Sequence, residues 1–549
     1  MTTAQLPATI RLPVSQDTDP AAQDAAAFHL RGLDMSYAGP VHALRQVDLV
    51  VRAGSHVAIL GPSGSGKTTL LGCLSGRLRH SAGEIERHGR IATIYQDLRL
   101  VKQRSAFQNV LHGAMGRLPL WRMLLRFPAH ERRRAVQLLE RVGLGHRIHT
   151  RVGRLSGGEQ QRVAIARALM QEPANLLADE PVAALDGANA SAIMHLLSEL
   201  QRERGLTLVS VLHDCILAET HADRILGFDA GRIVHDERAD DARGRSAEAP
   251  EAPTGLRGFR RFDACHACQS IAAAAEPAAA DSARPRPRPL RYALAAAIIL
   301  GIYAWALGGL QIEVRGASGP LSAIAIAAAD VFAFAGKLIP STAQLAAINW
   351  PALGESLLDT LRMALVGTTL AVFVAWPLAA LAARNVGPRW IRPVCRFALN
   401  AIRSVPSIIW ALLFVGAVGL GPFAGVLALV AYSLGYLTKF YYEAFEAVDA
   451  GTPDALREIG AGGLASFLHA IWPASRAAVL SSSLFMLEYN VRAASVLGIV
   501  GAGGIGHELK IHTEWGNWHV VGAILLVLGV VVLVLDAVSS RIRARIMRP

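Results

Sequence analysis

The chain has 549 residues, room for two or three domains, and a formal charge of +12 from 55 Lys and Arg against 43 Asp and Glu. Much of the arginine flanks apolar runs, so the basic surplus fits a membrane boundary and argues against nucleic acid as the partner. The five cysteines are scattered, in no pattern that suggests a disulfide framework, and fit a reducing compartment.

Residues 1–27 are polar and alanine-rich, without the apolar core of a signal peptide. A disordered start that stays in the cytosol is expected. Residues 28–238 have the composition of a soluble α/β domain. His56–Leu60 reads as a buried strand. Gly61-Pro62-Ser63-Gly64-Ser65-Gly66-Lys67-Thr68 follows, with a helix start at Lys67-Thr68-Thr69-Leu70-Leu71. Strand, loop and helix are the setting in which G-x-x-x-x-G-K-[ST] binds a nucleotide such as ATP. Amides of Gly64 to Thr68 are expected to cradle phosphates, Lys67 to neutralise the β- and γ-phosphates, and the Thr68 hydroxyl to ligate Mg2+. Ile91–Gln96 reads as a second strand, ending in a glutamine. Residues 101–151 are arginine-rich and helical. Their basic faces read as solvated, because no aromatic residues interleave them for nucleic acid.

Leu155-Ser156-Gly157-Gly158-Glu159-Gln160 reads as a turn opening a helix. A small hydroxyl and two glycines let backbone N–H groups approach an anion, with the helix dipole behind them. Leu176-Leu177-Ala178-Asp179-Glu180 reads as a short buried strand. It delivers two acids to its C-terminal end, where open α/β sheets bind ligands. Asp179 is the expected magnesium carboxylate. Glu180 is the expected general base, since its position lets it reach an in-line water. A third apolar run, Leu208–Leu212, closes with His213.

The phosphate loop, the Ser-Gly-Gly-Glu-Gln turn and the Asp-Glu strand end together resemble the ATPase of ATP-binding-cassette (ABC) transporters, from about Phe28 to Asp236. The resemblance implies that Tyr37 stacks on adenine, and that Gln96 touches the metal and the attacking water and links the ATP site to the membrane part. It implies a D-loop at Ala184-Leu185-Asp186, with Ala183 replacing the family's serine, and a γ-phosphate-sensing role for His213. In that architecture the Ser156–Gln160 turn caps the ATP of a second ATPase. One set of motifs therefore implies a homodimer with two shared sites.

Residues 239–289 are Ala-, Pro- and Arg-rich and read as an unpacked linker. Cys265-His266-Ala267-Cys268 within it has no second ligand pair nearby, so a zinc site is not expected. Residues 290–549 read as a membrane domain of about six helices: Leu290–Leu310, Leu357–Ala383, Ala398–Leu420, Phe423–Phe440, Ala477–Val500 and His519–Ser539. Arginines crowd the ends expected to face the cytosol (Arg284, Arg286, Arg288, Arg291; Arg384, Arg389, Arg392, Arg396; Arg541, Arg543, Arg545, Arg548). The outward connections hold few cations: Arg315, Lys337 and Lys510. Both termini are expected in the cytosol, at the inner membrane.

After the fourth span, Asp454-Ala455-Leu456-Arg457-Glu458-Ile459-Gly460 and Ile471-Trp472-Pro473 keep the spacing of the importer permease motif E-A-A-x-x-x-G-x(9)-I-x-L-P. They depart from it at Asp454, Leu456, Ala470 and Trp472. The segment reads as a short amphipathic helix turned at Gly460, able to seat in a groove of the ATPase. Gly501-Ala502-Gly503-Gly504-Ile505-Gly506 spells G-x-G-x-x-G, but it follows a membrane helix and not a strand, so no dinucleotide site is expected. Glu488 and Arg492 lie four apart inside an apolar span. They are either functional or a self-neutralising pair.

Ser404–Val426, Asn490–Gly506 and Gly116–Trp121 resemble the phosphonate importer family, in which ATPase and permease are usually two chains. The fold class implied is an α/β P-loop ATPase plus an all-α permease. The implied function is ATP-driven import of phosphonates or close oxyanions. The implied partners are a second copy, a periplasmic or lipid-anchored substrate-binding protein and membrane lipid. Import of phosphite, another anion or methionine is the alternative; a soluble cassette ATPase and an exporter fit the six spans and the permease spacing less well.

Overall fold

The computed structural model describes residues 26–37, 42–125, 127–183, 185–239, 297–303, 305 and 320–546. The expected N-terminal segment to residue 25, the linker from 240 with Cys265 and Cys268, and most of the first expected span lie outside them. Two compact units result. One joins the N-terminal half to Val448–Ala474; the other holds the remaining C-terminal residues.

The N-terminal half runs β1 (Ala26–Ser36), β2 (His42–Arg52), β3 (His56–Leu60), α1 (Lys67–Leu74), β4 (Ala82–Arg87), β5 (Ile91–Ile94), α2 (Ala106–His112), α3 (Leu120–Leu125), α4 (Ala129–Arg141), α5 (Gly157–Leu169), β6 (Asn175–Asp179), α6 (Gly187–Arg204), β7 (Thr207–Val211), α7 (Cys215–His221), β8 (Arg224–Asp229) and β9 (Arg232–Arg238). Six strands pair in the order β5-β6-β7-β3-β8-β9. All neighbours are parallel except β9, which returns antiparallel on β8. β3, β6 and β7 are buried at every position. A parallel strand covered on both faces needs an apolar run with no alternation, which is how these segments are written. A smaller antiparallel sheet, β2-β1-β4, was not anticipated from the sequence. Its Phe28, Leu30 and Leu44 pack with Leu70 and Leu74 of α1 and Phe228 of β8.

The C-terminal residues are helical. Among the described residues four helices are long and apolar enough to cross a membrane: Trp350–Ala382, Pro422–Glu446, Gly463–Val500 and Trp518–Ile546. Ile391–Ser404 and Ser407–Val418 bend by 88° at a short break and add a fifth crossing if taken together. The apolar run Ala398–Leu420 predicts a single unbroken span. Pro406 prevents it, having no N–H to donate and holding Val405 in an extended conformation. A helix also forms at Pro320–Leu338, where only a connection was expected. It closes onto Trp518–Ile546 at Gly522, where a Cβ would lie 1.7 Å from the Leu338 carbonyl oxygen. The Gly501–Gly506 run packs backbone against neighbours. A Cβ at Gly504 would lie 2.5 Å from Thr360 Oγ1, which accepts from the Ile505 amide at 2.8 Å.

His56 opens β3 fully buried. Its Nδ1 donates to the His221 carbonyl and its Nε2 accepts from Ser210 Oγ, both at 2.8 Å. Burial lowers its pKa from 6.5 to about 4. Between those values the unfolded chain binds a proton that the folded ring refuses, so stability is present above pH 6.5 and is lost as pH falls toward 4. The loss reaches about 3 kcal/mol. Melting temperature measured across this pH window is expected to fall, and the slope to flatten in His56→Gln.

Candidate functional site

β3 feeds directly into the phosphate loop. Gly61 and Gly66 have positive φ, and a Cβ on them would lie 2.0 Å from the Phe228 carbonyl oxygen and 2.4 Å from that of Ala43. Only glycine fits a loop pressed so closely between β8 and β2. Lys67 Nζ donates to the carbonyls of Gly61 and Pro62 at 2.8 and 2.7 Å. Among the described residues Ser65 Oγ is buried without a hydrogen-bond partner. An orphaned hydroxyl donor in a glycine cradle suits an anion. Ser63 and Gly64 stand exposed beside it. The Tyr37 hydroxyl lies 3.1 Å from Thr69 Oγ1, which brings that ring to the start of α1.

Asp179 ends β6, and Glu180 follows with φ of 49°. Glu180 Oε2 accepts from Gln96 Nε2 and Glu180 Oε1 from His213 Nε2, both at 2.7 Å. Gln96 lies two residues past β5 and His213 two past β7. Those are the parallel neighbours of β6, so three residues distant in sequence converge at one sheet edge. Thr68 Oγ1 donates to Asp179 Oδ1 at 3.2 Å. Burial pushes the Asp179 carboxyl above the usual range, and the Glu180 charge adds to this while the Thr68 bond opposes it. A hydroxyl and a carboxylate are hard oxygen donors that fit Mg2+. Among the described residues no group of three or more His, Cys, Asp or Glu could hold a metal. An ion here would therefore lean on phosphate oxygens as well, as magnesium commonly does.

Ser156 caps α5. Its Oγ accepts from the Glu159 amide at 3.3 Å, and the Glu159 carboxylate accepts from the Ser156 amide at 2.8 Å. That backbone bond holds the Glu159 carboxyl below its ordinary value. Gln160 Nε2 donates to the Leu155 carbonyl at 2.8 Å and braces the turn. Gly157 is exposed at the head of the helix, and Gly158 packs near Leu185 and Asn189. Asn189 in turn donates to Asp186 Oδ1 at 2.5 Å. The Ser156–Gln160 turn and Asp186 thus form a second group, apart from the hydrogen-bonded set of Thr68, Gln96, Asp179, Glu180 and His213.

Gly451–Glu458 forms a short helix within the same unit, with Pro453, Ala455 and Leu456 buried and Asp454 paired to Arg457. Leu456, Ala461, Ala465 and Ala470 pack with Val101, Met115 and Met123. Gly460 turns the chain at φ of 101°, and its backbone meets Gly116: a Cβ at Gly116 would lie 1.9 Å from the Ile459 carbonyl oxygen. The Tyr95 hydroxyl donates to Glu458 Oε2. Arg99 lies over the Tyr95 ring at 4.2 Å and 3.7 Å from Glu458. Beneath them Arg167 is buried and donates to the carbonyls of Arg99 and Leu98 at 2.6 and 2.7 Å. Burial draws its pKa down to about 10. Tyr95, Arg99 and Glu458 were missed in the sequence. The available signals were that Tyr95 directly precedes Gln96, and that Glu458 shares a helix face with Asp454 four residues earlier.

Residues 44–183 match the family described as ABC transporter, and residues 367–548 that described as binding-protein-dependent transport system inner membrane component. The chain belongs to the ABC transporter family, with ATPase and membrane component in one polypeptide. It is an ATP-binding, ATP-hydrolysing transporter component of a membrane, of a kind that works as a dimer with a substrate-binding protein. It is similar to the phosphonates import ATP-binding protein PhnC 1 of Natronomonas pharaonis, 47% identical over 215 residues, 38% of this chain and 92% of that protein. It is also similar to the phosphonates import ATP-binding protein PhnC of Escherichia coli K12, 42% identical over 216 residues, 35% of this chain and 82% of that protein. A solved dimeric ATP-binding cassette in a post-hydrolysis state, bound to ADP and Pi, is 31% identical with a TM-score of 0.34, covering 39% of this chain and 98% of that one.

Gly116→Val is expected to unseat the Gly451–Glu458 helix. Amide exchange over residues 451–460 should quicken at least about tenfold while that of β3 and β6 is unchanged.

Proposed function

We propose that this chain imports phosphonates, or closely related phosphorus oxyanions, across the cytoplasmic membrane by hydrolysing ATP. The observation that carries the ATP chemistry is Glu180 held between Gln96 and His213, one residue from an Asp179 that touches Thr68. Support for the solute comes from relatives named for phosphonate import.

In this reading residues 28–238 are the ATPase, 239–289 a linker after the 1–27 extension, and 290–549 the permease. Tyr37 stacks on adenine. Amides of Gly64 to Thr68 cradle the phosphates, Gly61, Pro62 and the side chains of Ser63, Ser65 and Thr69 complete the pocket, and Lys67 leaves its carbonyl partners to neutralise the β- and γ-phosphates. Thr68, Asp179 and Gln96 hold Mg2+, which when bound draws charge from the phosphate oxygens. Glu180 takes the proton of the attacking water. Its bond to His213 fixes the carboxylate and lets the imidazole report the γ-phosphate. Ser156, Gly157, Gly158, Glu159 and Gln160, with Asp186, close over the ATP of a second copy, so two copies make two sites. The Asp454–Gly460 segment carries the closure to the permease through Tyr95 and Glu458. A periplasmic or lipid-anchored binding protein delivers the solute. Arginine at Arg384, Arg389, Arg392 and Arg396 and at Arg541, Arg543 and Arg545 supports cytosolic termini at the inner membrane.

Glu180→Gln should bind ATP with near wild-type affinity yet hydrolyse it about 10²–10⁴-fold more slowly; undiminished turnover removes Glu180 as the base. For the solute, vesicles holding the chain and its binding protein are expected to accumulate methylphosphonate when given ATP. Accumulation of methionine with no phosphorus oxyanion would overturn the reading.

A further inference from the structure

Glu488 and Arg492 stand inside an apolar helix, and four-residue spacing alone leaves open whether they merely cancel each other. The structure separates them. The Glu488 side chain is 10% exposed and accepts from Arg492 Nη2 at 3.0 Å and from Arg543 Nη1 at 3.4 Å. One carboxylate therefore serves two guanidinium groups. Arg543 has further partners in Ser539 Oγ at 3.0 Å and Asp536 at 3.5 Å. Arg492 makes its bond to Glu488 and keeps a side chain that is 49% exposed.

The rotation of this helix is pinned from its other sides. Asn490 is buried and donates to Thr368 Oγ1 at 2.8 Å and Ser433 Oγ at 2.7 Å. The Tyr489 ring stacks on Tyr432, and their hydroxyls meet at 2.8 Å. Arg492 is consequently held on an outward stripe with Phe485, Val496 and Ile499, all exposed. A guanidinium has five N–H donors in a planar fork. On a stripe it shares with exposed apolar side chains, its free donors need an anion or water in place of hydrocarbon.

We propose that Arg492 is the oxyanion ligand of the transport pathway, taking the charged P–O oxygens of the passing solute in a bidentate grip. The inference rests on the phosphorus-oxyanion reading above. The fork matches two oxygens of a tetrahedral anion better than an ammonium does. Glu488 supplies the other half of the device. It orients the guanidinium and competes with the solute for it, so that binding is strong enough for entry and weak enough for release.

The test uses the full chain and its binding protein in phosphatidylcholine vesicles, with and without phosphatidylglycerol, and reads methylphosphonate uptake per ATP hydrolysed. Arg492→Gln should lower that ratio about tenfold in both vesicle types, and Arg492→Lys should recover about half of the loss. An arginine that only supports the fold would lower uptake and hydrolysis together, leaving the ratio at the wild-type value. That result, or full uptake by Arg492→Gln, overturns the proposal. A defect confined to vesicles with phosphatidylglycerol assigns the guanidinium to a lipid headgroup and also overturns it. Should Arg492→Gln not assemble, Arg492→Lys carries the test, and a wild-type ratio in that variant overturns it. If the wild-type chain moves methionine and no phosphorus oxyanion, the functional reading fails first and this proposal with it. Intact phosphonate uptake that is insensitive to position 492 sinks this proposal alone.

Discussion

Successive side chains of a strand point to opposite faces, so a regular β6 would turn Glu180 away from Asp179. The left-handed backbone at Glu180, φ of 49°, breaks that alternation and keeps both carboxylates at the sheet edge. A glutamate in that region is strained, by about 1–3 kcal/mol. The bonds from Gln96 and His213 hold it there. Both partners depend on β5 and β7 running parallel to β6, because only parallel neighbours deliver their C-terminal ends to the same place. The proposed chemistry, and the coupling that follows from it, rest on this strained and doubly held carboxylate.

The end of β5 reaches the Val448–Ala474 segment that completes this unit. Gly451–Glu458 is too short to be stable as a helix by itself. It is held by burying Leu456 and Ala461 among Val101, Met115 and Met123, and by a backbone contact between Gly116 and Gly460 that tolerates no side chain. Tyr95 lies at the meeting point. Its hydroxyl is bound to Glu458, and the next residue is the glutamine that holds Glu180. Burial and the Glu458 charge raise the tyrosine pKa, so the phenol stays protonated as the donor in that bond. The short helix is therefore linked to the carboxylate by two hydrogen bonds, Tyr95 to Glu458 and Gln96 to Glu180, and the one peptide unit between them.

The helical residues solve a different problem. With no water in hydrocarbon, backbone polar groups must be satisfied within the fold. The breaks are placed accordingly. Pro406 ends one helix, and the Gly501–Gly506 turn is buttressed by Thr360 and closely packed backbone. The buried Asn490 ties three helices through Thr368 and Ser433. Against this background the half-exposed Arg492 stands out.

Much of the candidate site was legible because its patterns are local. The phosphate loop, the capped turn at Ser156 and the acids after Leu176–Ala178 are contiguous patterns, and each needs only its own strand or helix to form. The apolar stretches announced the membrane half for the same reason, since hydrophobic length is a property of sequence alone. What tertiary structure alone decided were the meetings between distant segments. These include Gln96 and His213 on Glu180, Tyr95 and Arg99 on Glu458, Gly116 against Gly460, and Arg543 sharing the carboxylate of Glu488 with Arg492. Strand order and helix rotation set those pairings. Neither leaves a periodicity in the chain, because a glycine that admits another backbone and a glutamate that accepts a distant phenol look like any other glycine and glutamate until the fold brings their partners to them.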